Sequence, residues 1–166
     1  MQVHARRIGL VALVFGVAFL SSGSQAFAQA RAANPFIGVW ELDRFKSVYE
    51  PIATQPQKQI LTIAAAPTAG QFTATTKTWR GEVANETTYT AAADGKDYPT
   101  TAARATVAFK QVNATTWERT AKLFDEVAEN ATWSLSADGK MLTITRKGVD
   151  GTGMDYSSTA YYMKVS

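Results

Sequence analysis

Arg119 is the residue whose type and position point most directly to chemistry. Along 116–123 it shares strand parity with Trp117, Ala121 and Leu123, so a regular strand turns it toward the apolar side. A guanidinium alone in a core is costly, so Arg119 must meet an acid, an aromatic face or a ligand anion. The structural partner would be Glu129 or the ring of Trp40; the functional one would be an anionic group on a bound molecule. Five aromatics lean the same way on their strands: Tyr89, Phe109, Trp117, Trp133 and Tyr161. They either line an apolar cavity or fill it. Small residues near them, as in Phe72-Thr73-Ala74-Thr75-Thr76, favour an open interior, and a preformed apolar void is where a small ligand binds.

The remaining candidates carry less. Trp79-Arg80 ends a strand, where an aromatic beside a cation suits a rim contact or nothing more than a strand end. Asp150, Gly151, Gly153 and Asp155 have the look of a calcium loop without its spacing or closing Glu, so they read as a hairpin loop. Asp125, Glu126 and Glu129 form an acidic cluster that reads as solvated; a glycosidase pair would need a defined separation. Asn85, Asn113 and Asn130 open Asn-x-Thr patterns that Thr-rich strands produce readily. There is no cysteine, which excludes disulfides, thiol nucleophiles and thiolate metal sites, and the one histidine is His4.

His4 belongs to a segment that reads as an address. Arg6 and Arg7 precede the apolar run Ile8–Leu20, and Ala26-Phe27-Ala28 and Ala28-Gln29-Ala30 offer small-x-small cleavage sites. The run of 13 residues spans roughly 20 Å as a helix, short of a hydrocarbon core about 30 Å thick. Residues 1–30 are therefore expected to be a secretory signal peptide rather than a membrane anchor, and the product periplasmic or secreted. Its removal takes two of the 17 basic residues, so 15 remain against 14 acids, a balance with no pull toward nucleic acid. The mature chain then has no histidine, which closes Ser-His, Cys-His and zinc-hydrolase chemistry. No cofactor and no metal is expected.

The elements that must hold Arg119 are strands. From residue 57 onward no amphipathic stretch of helical period exceeds about two turns; instead short runs rich in Thr, Val, Ile and aromatics alternate with turn residues. Strands are expected at 37–42, 57–65, 71–79, 84–92, 97–100, 104–112, 116–123, 127–136, 140–147 and 156–165. Asp94-Gly95 and Asp138-Gly139 supply hairpin turns. The stretch 43–56 is the exception: Pro51 and Pro56 limit any helix there to a turn or two, a short lid after the first strand. Near Trp40 and Leu42, and again at Val107 and Phe109, Ala131, Trp133 and Leu135, Leu142 and Ile144, and Tyr161, Met163 and Val165, one parity is apolar. Closing such strands into a cylinder hides the dry faces and removes unpaired edges. Residues 31–166 are expected to form one all-β domain, an up-and-down antiparallel barrel of eight to ten strands, with a two-sheet sandwich as the other solution.

The segment Asn34–Ser47, with Phe36, Gly38, Trp40 and Leu42 followed by Lys46 and Ser47, resembles the opening of bacterial secreted lipocalin-like β-barrel proteins. The blocks Asp94–Pro99 and Ser136–Thr145 match the same pattern in the same order. The resemblance implies a barrel sealed at one end by Gly38 and Trp40, with an Arg, here Arg119 or Arg146, over the Trp40 ring. It implies too that Arg119 anchors the carboxylate of a lipid-like ligand, as in related fatty-acid-binding barrels. The expected partner is a small hydrophobic or amphipathic molecule, bound without being transformed, with Arg119 and the inner aromatics as its contacts. A barrel that binds protein, such as an inhibitor of a secreted enzyme acting through loops 43–56 or 148–155, is the alternative. An isomerase- or cyclase-type barrel using an interior Tyr or carboxylate stands third.

Overall fold

Alternating apolar and polar residues broken by short turns leave a chain little choice but hairpins. The computed structural model describes residues 34–166; the expected leader and its cleavage sites lie outside the described residues. Eleven strands form: β1 (Gly38–Leu42), β2 (Val48–Glu50), β3 (Lys58–Ala65), β4 (Gln71–Arg80), β5 (Val83–Ala92), β6 (Asp94–Pro99), β7 (Ala105–Asn113), β8 (Thr116–Leu123), β9 (Glu126–Leu135), β10 (Met141–Val149) and β11 (Asp155–Lys164). All pairings are antiparallel. The spatial order β5-β4-β3-β1-β11-β10-β9-β8-β7-β6 follows the sequence order around a circle, with β2 continuing the line of β1 along β11. The two ends of this sheet meet at a bridge between Tyr89 and Thr100, next to which Thr101 N–H donates to the Thr88 carbonyl at 2.9 Å. The result is a nearly closed up-and-down barrel.

Two local expectations change. The stretch 43–56 forms no helix over Arg44–Tyr49. It makes a turn, then β2, then a single 3-10 turn at Ile52–Thr54, because the backbone of β2 is taken up by pairing with Ser157–Thr159 of β11. Asp94-Gly95 is not the β5–β6 hairpin either. It sits in a bulge within β6, where the pairing with β7 shifts between Asp94 and Asp97.

The barrel is sealed at the end where β1 begins. Phe36 and Trp40 are fully buried, and the Trp40 indole N–H donates to the Phe36 carbonyl at 2.9 Å. The cation over the Trp40 ring is Lys164, with Nζ 5.2 Å from the ring centroid, rather than Arg119 or Arg146. Lys164 holds this position because β11 returns beside β1, where Trp40 and Lys164 are cross-strand partners. Gly38 makes the approach possible: at φ +150°, a Cβ there would lie 2.5 Å from Lys164 Cε and 2.7 Å from the Ser166 carbonyl oxygen. Gly38→Ala is therefore expected to destabilise the barrel by about 1–3 kcal/mol through crowding and backbone strain. Urea unfolding should show a lowered midpoint with an unchanged slope; an unaltered midpoint would contradict the seal.

Candidate functional site

Inward residues on neighbouring strands lie opposite one another, so strand pairing builds the interior in rungs. One rung is Trp117–Trp133–Ile144–Ala160. Next toward the mouth comes Phe109–Arg119–Ala131–Arg146–Ser158–Tyr49. Above it lies Val107–Ala121–Glu129–Gly148–Tyr156. The interior thus changes character along its axis, apolar at the sealed end and charged toward the mouth.

The apolar part is a floor of rings. Phe36 stacks on Trp117 with centroids 4.1 Å apart, and Phe72 lies 4.9 Å from Trp117. Phe109 meets Phe72 and Trp133 edge-on at 5.2 Å each, and Tyr89 at 5.7 Å. Of the five expected aromatics, Phe109, Trp117, Trp133 and Tyr89 come together here, ring against ring. Tyr161 does not join them. Its neighbour Tyr162 pairs with buried Leu42 and Leu142, and partners in a ladder share a face, so Tyr162 points in and Tyr161 out.

The charged part holds two guanidinia and one carboxylate. Arg119 is ion-paired with Glu129, their side chains 16% and 9% exposed. Glu129 is thus no member of a solvated cluster: Asp125 and Glu126 stay exposed on the β8–β9 turn, while parity with Ala131 and Trp133 carries Glu129 inside. Its second oxygen accepts a 2.6 Å hydrogen bond from the Tyr156 hydroxyl. Tyr156 reaches across its cross-strand partner Gly148, where a Cβ would lie 2.9 Å from the phenol oxygen and 2.3 Å from the Ala128 carbonyl. Only a residue without a side chain lets the ring cross.

Arg146 has no such acid. Its guanidinium donates to the Tyr162 hydroxyl at 3.3 Å, and that hydroxyl donates in turn to Gln59. Arg119 Nε, Arg146 Nε, the hydroxyls of Tyr49 and Ser158, and the indole N–H groups of Trp117 and Trp133 are buried with no hydrogen-bond partner among the described residues. Sequence reasoning offered Arg146 only as a cation for Trp40, although its parity with Leu142 and Ile144 already turned it inward. Tyr49, Gln59, Tyr156, Ser158 and Tyr162 were missed. The parity of Gln59 with Leu61 and Ile63 was the available signal for that residue.

Two depressions approach this charged layer. One of about 520 Å³ is lined by Glu129, Gly148 and Tyr156 with Asn130 and Lys147, and one of about 400 Å³ by Arg119, Ala131 and Arg146 with the same Asn130 and Lys147. Asn130 and Lys147 point outward, so these depressions meet the layer from the outer side of the sheet. At the mouth, Phe45, Ile52, Val83, Phe124 and Met154 are exposed on the turns and strand ends. Trp79 lies on the outer face between Lys58 and Lys77. The Asp150 carboxylate accepts from Thr152 and Met154 of its own loop, as a turn residue does. Among the described residues no His, Cys, Asp or Glu side chains converge as a metal site.

No protein-family model matches this chain, and no curated protein does. Among solved structures, the zebrafish ileal bile acid-binding protein complexed with cholic acid aligns with a TM-score of 0.46 at 14% identity, over 79% of this chain and 99% of that one. The siderocalin Ex-FABP, described as functioning through dual ligand specificities, aligns at 0.36 and 11% identity, over 78% of this chain and 70% of that one. The barrel assignment rests on the strand pairing itself.

Burial sets the protonation of the layer. It works against the charge of Arg119 and lowers its value, an effect the Tyr89 phenol partly offsets. For Arg146 burial also opposes the charge, but the phenol oxygens of Tyr162 and Tyr49 outweigh it and leave its value raised. Burial pushes the phenols of Tyr49, Tyr89 and Tyr156 above the ordinary 10.0. Because the unfolded chain ionises these phenols first, the stability they contribute is complete below pH 10.0 and is lost as pH rises through their higher folded values. In an alkaline titration, part of the tyrosinate absorbance should appear only as near-UV circular dichroism collapses. All six tyrosines ionising together with the fold intact would contradict the burial.

Proposed function

We propose that this chain is an exported barrel that binds a small amphipathic anion, acidic head inward, without transforming it. The observation that carries the reading is the charge count of the interior. Two guanidinia face one carboxylate, and several donors beside them have nothing to donate to. A buried cation excess with orphaned donors is complementary to an anion, since each ligand oxygen satisfies a donor and offsets a desolvated charge. Arg146 would be the anchor, because Glu129 already answers Arg119. Tyr49, Ser158 and Tyr89 lie around the head, Phe109, Trp117 and Trp133 form the floor, and the apolar loop residues at the mouth meet the ligand's body. The expected leader supports export. The absence of His and Cys beyond residue 30 leaves no usual general base or thiol nucleophile and supports binding over turnover.

A second reading, in which the barrel binds a protein, is favoured by one observation: Phe45 is 94% exposed in the 43–56 stretch, near exposed Val48 and Ile52. Native mass spectrometry of the protein purified from its host separates the two, since a retained small molecule supports the first reading and a stoichiometric protein partner the second. The same mass places the leader: cleavage should leave a chain beginning at Gln29 or Arg31, and a mass retaining residues 1–28 would overturn export. Arg146→Gln is expected to weaken dodecanoate binding by about tenfold to a hundredfold, the scale of one charged hydrogen-bonding partner. Isothermal titration against the wild type measures it, and equal affinities would remove Arg146 as the anchor.

A further inference from the structure

Of the 14 acidic residues, all of which fall within the described part of the chain, Glu129 is the one buried in the barrel. Residues 1–33 contain no Asp or Glu, so no second carboxylate is available to the interior from that segment. Glu129 is held from two directions, by the Arg119 guanidinium and by the Tyr156 hydroxyl at 2.6 Å. The tyrosine reaches it only because Gly148 is a glycine. A carboxylate tied down this way stays in place when another anion arrives. Arg119 and Arg146 flank Ala131 on a single rung, so the two guanidinia look onto one small space, with Glu129 one rung toward the mouth.

We infer that Glu129 selects the charge of the ligand: it cancels one of two guanidinia that share a rung, so the site accepts a head carrying one negative charge. The inference rests on the anion-binding reading above and sharpens it to a class, monoanions such as carboxylates, to the exclusion of dianions such as phosphate monoesters. With Glu129 present, a monoanion brings the interior to neutrality. A dianion leaves one uncompensated negative charge in a dry environment, where charges interact far more strongly than in water. The selectivity comes from a built-in repulsive group as much as from the attractive ones. Exposed charges on the outer face are screened and contribute little to this balance.

Three probes with one tail test it: dodecanoate, dodecyl phosphate and dodecanol. Binding is measured by isothermal titration at about pH 8, where the phosphate, with a second pKa of about 6, is a dianion. The wild type should bind dodecanoate more tightly than either of the others. Glu129→Gln should move the phosphate-to-carboxylate affinity ratio toward phosphate by about tenfold to a hundredfold. Arg119→Gln, which leaves one guanidinium against one carboxylate, should move preference the opposite way, toward dodecanol. Near-UV circular dichroism verifies the fold of each variant, and the wild-type order of affinities needs no variant at all. Wild-type binding of dodecyl phosphate at least as tight as dodecanoate overturns the selectivity and leaves the anion-binding reading standing, as does a folded Glu129→Gln with an unshifted ratio; dodecanol bound at least as tightly as dodecanoate overturns both. Failure of the wild type to bind any of the three overturns the binding reading and the selectivity with it.

Discussion

The ion pair between Arg119 and Glu129 is the constraint to which the upper half of the barrel is fitted. A guanidinium and a carboxylate removed from water lose several kcal/mol of hydration each, and only close pairing with further hydrogen bonds offsets that loss. The neighbouring residues are arranged to provide those bonds. Tyr156 takes up the second oxygen of Glu129, Gly148 gives Tyr156 its passage, and Ala131 keeps the space between the arginines clear of a large side chain. Arg146, bonded through Tyr162 to Gln59, ties the same layer to β11 and β3. A change at any one of these positions is felt by the others, because low dielectric makes each missing partner expensive.

The lower half obeys a different rule. There the packing is aromatic on aromatic, with each favourable ring pair worth about 0.5–1.5 kcal/mol beyond its burial. Trp40, capped by Lys164 and anchored to the Phe36 carbonyl, closes that end. The division of labour follows from register. Moving any of strands β8 to β11 by one residue would exchange its charged and apolar inward sets for outward ones, so the same pairing that fixes the floor also fixes the ion pair.

Much of this was legible in the sequence wherever alternation ran unbroken. The parity of Trp117 and Ala121 placed Arg119 inside, and that of Ala131 and Trp133 would have placed Glu129 there. Glu129 carries two readings in the sequence: the partner of Arg119, which it is, and a member of a solvated cluster with Asp125 and Glu126, which are exposed at a tight turn only a few residues earlier. Tyr161 and Tyr162 are adjacent and chemically identical, so alternation alone could not choose between them; the choice is made by Leu42 and Leu142, distant in sequence. Tyr49 could not be found, because β2 is three residues long and exists only through its pairing with β11. The helical turn expected in 43–56 falls at Ile52–Thr54 rather than at Arg44–Tyr49 for the same reason: local propensity gives way to a non-local ladder. Lys164 caps Trp40 where the resemblance implies an arginine, because β11 rather than β8 or β10 is the strand that returns beside β1.

The circle of strands is stitched shut at Tyr89 and Thr100, a single bridge where the other neighbouring strands around the circle pair at three or more positions. The phenol of that same Tyr89 lies beside Arg119. The weakest joint of the stave-work therefore shares a residue with its electrostatic keystone. Loosening the seam deprives the buried guanidinium of a neighbour, and disturbing the guanidinium tugs at the seam, so the mechanical and electrical integrity of the cylinder are one property.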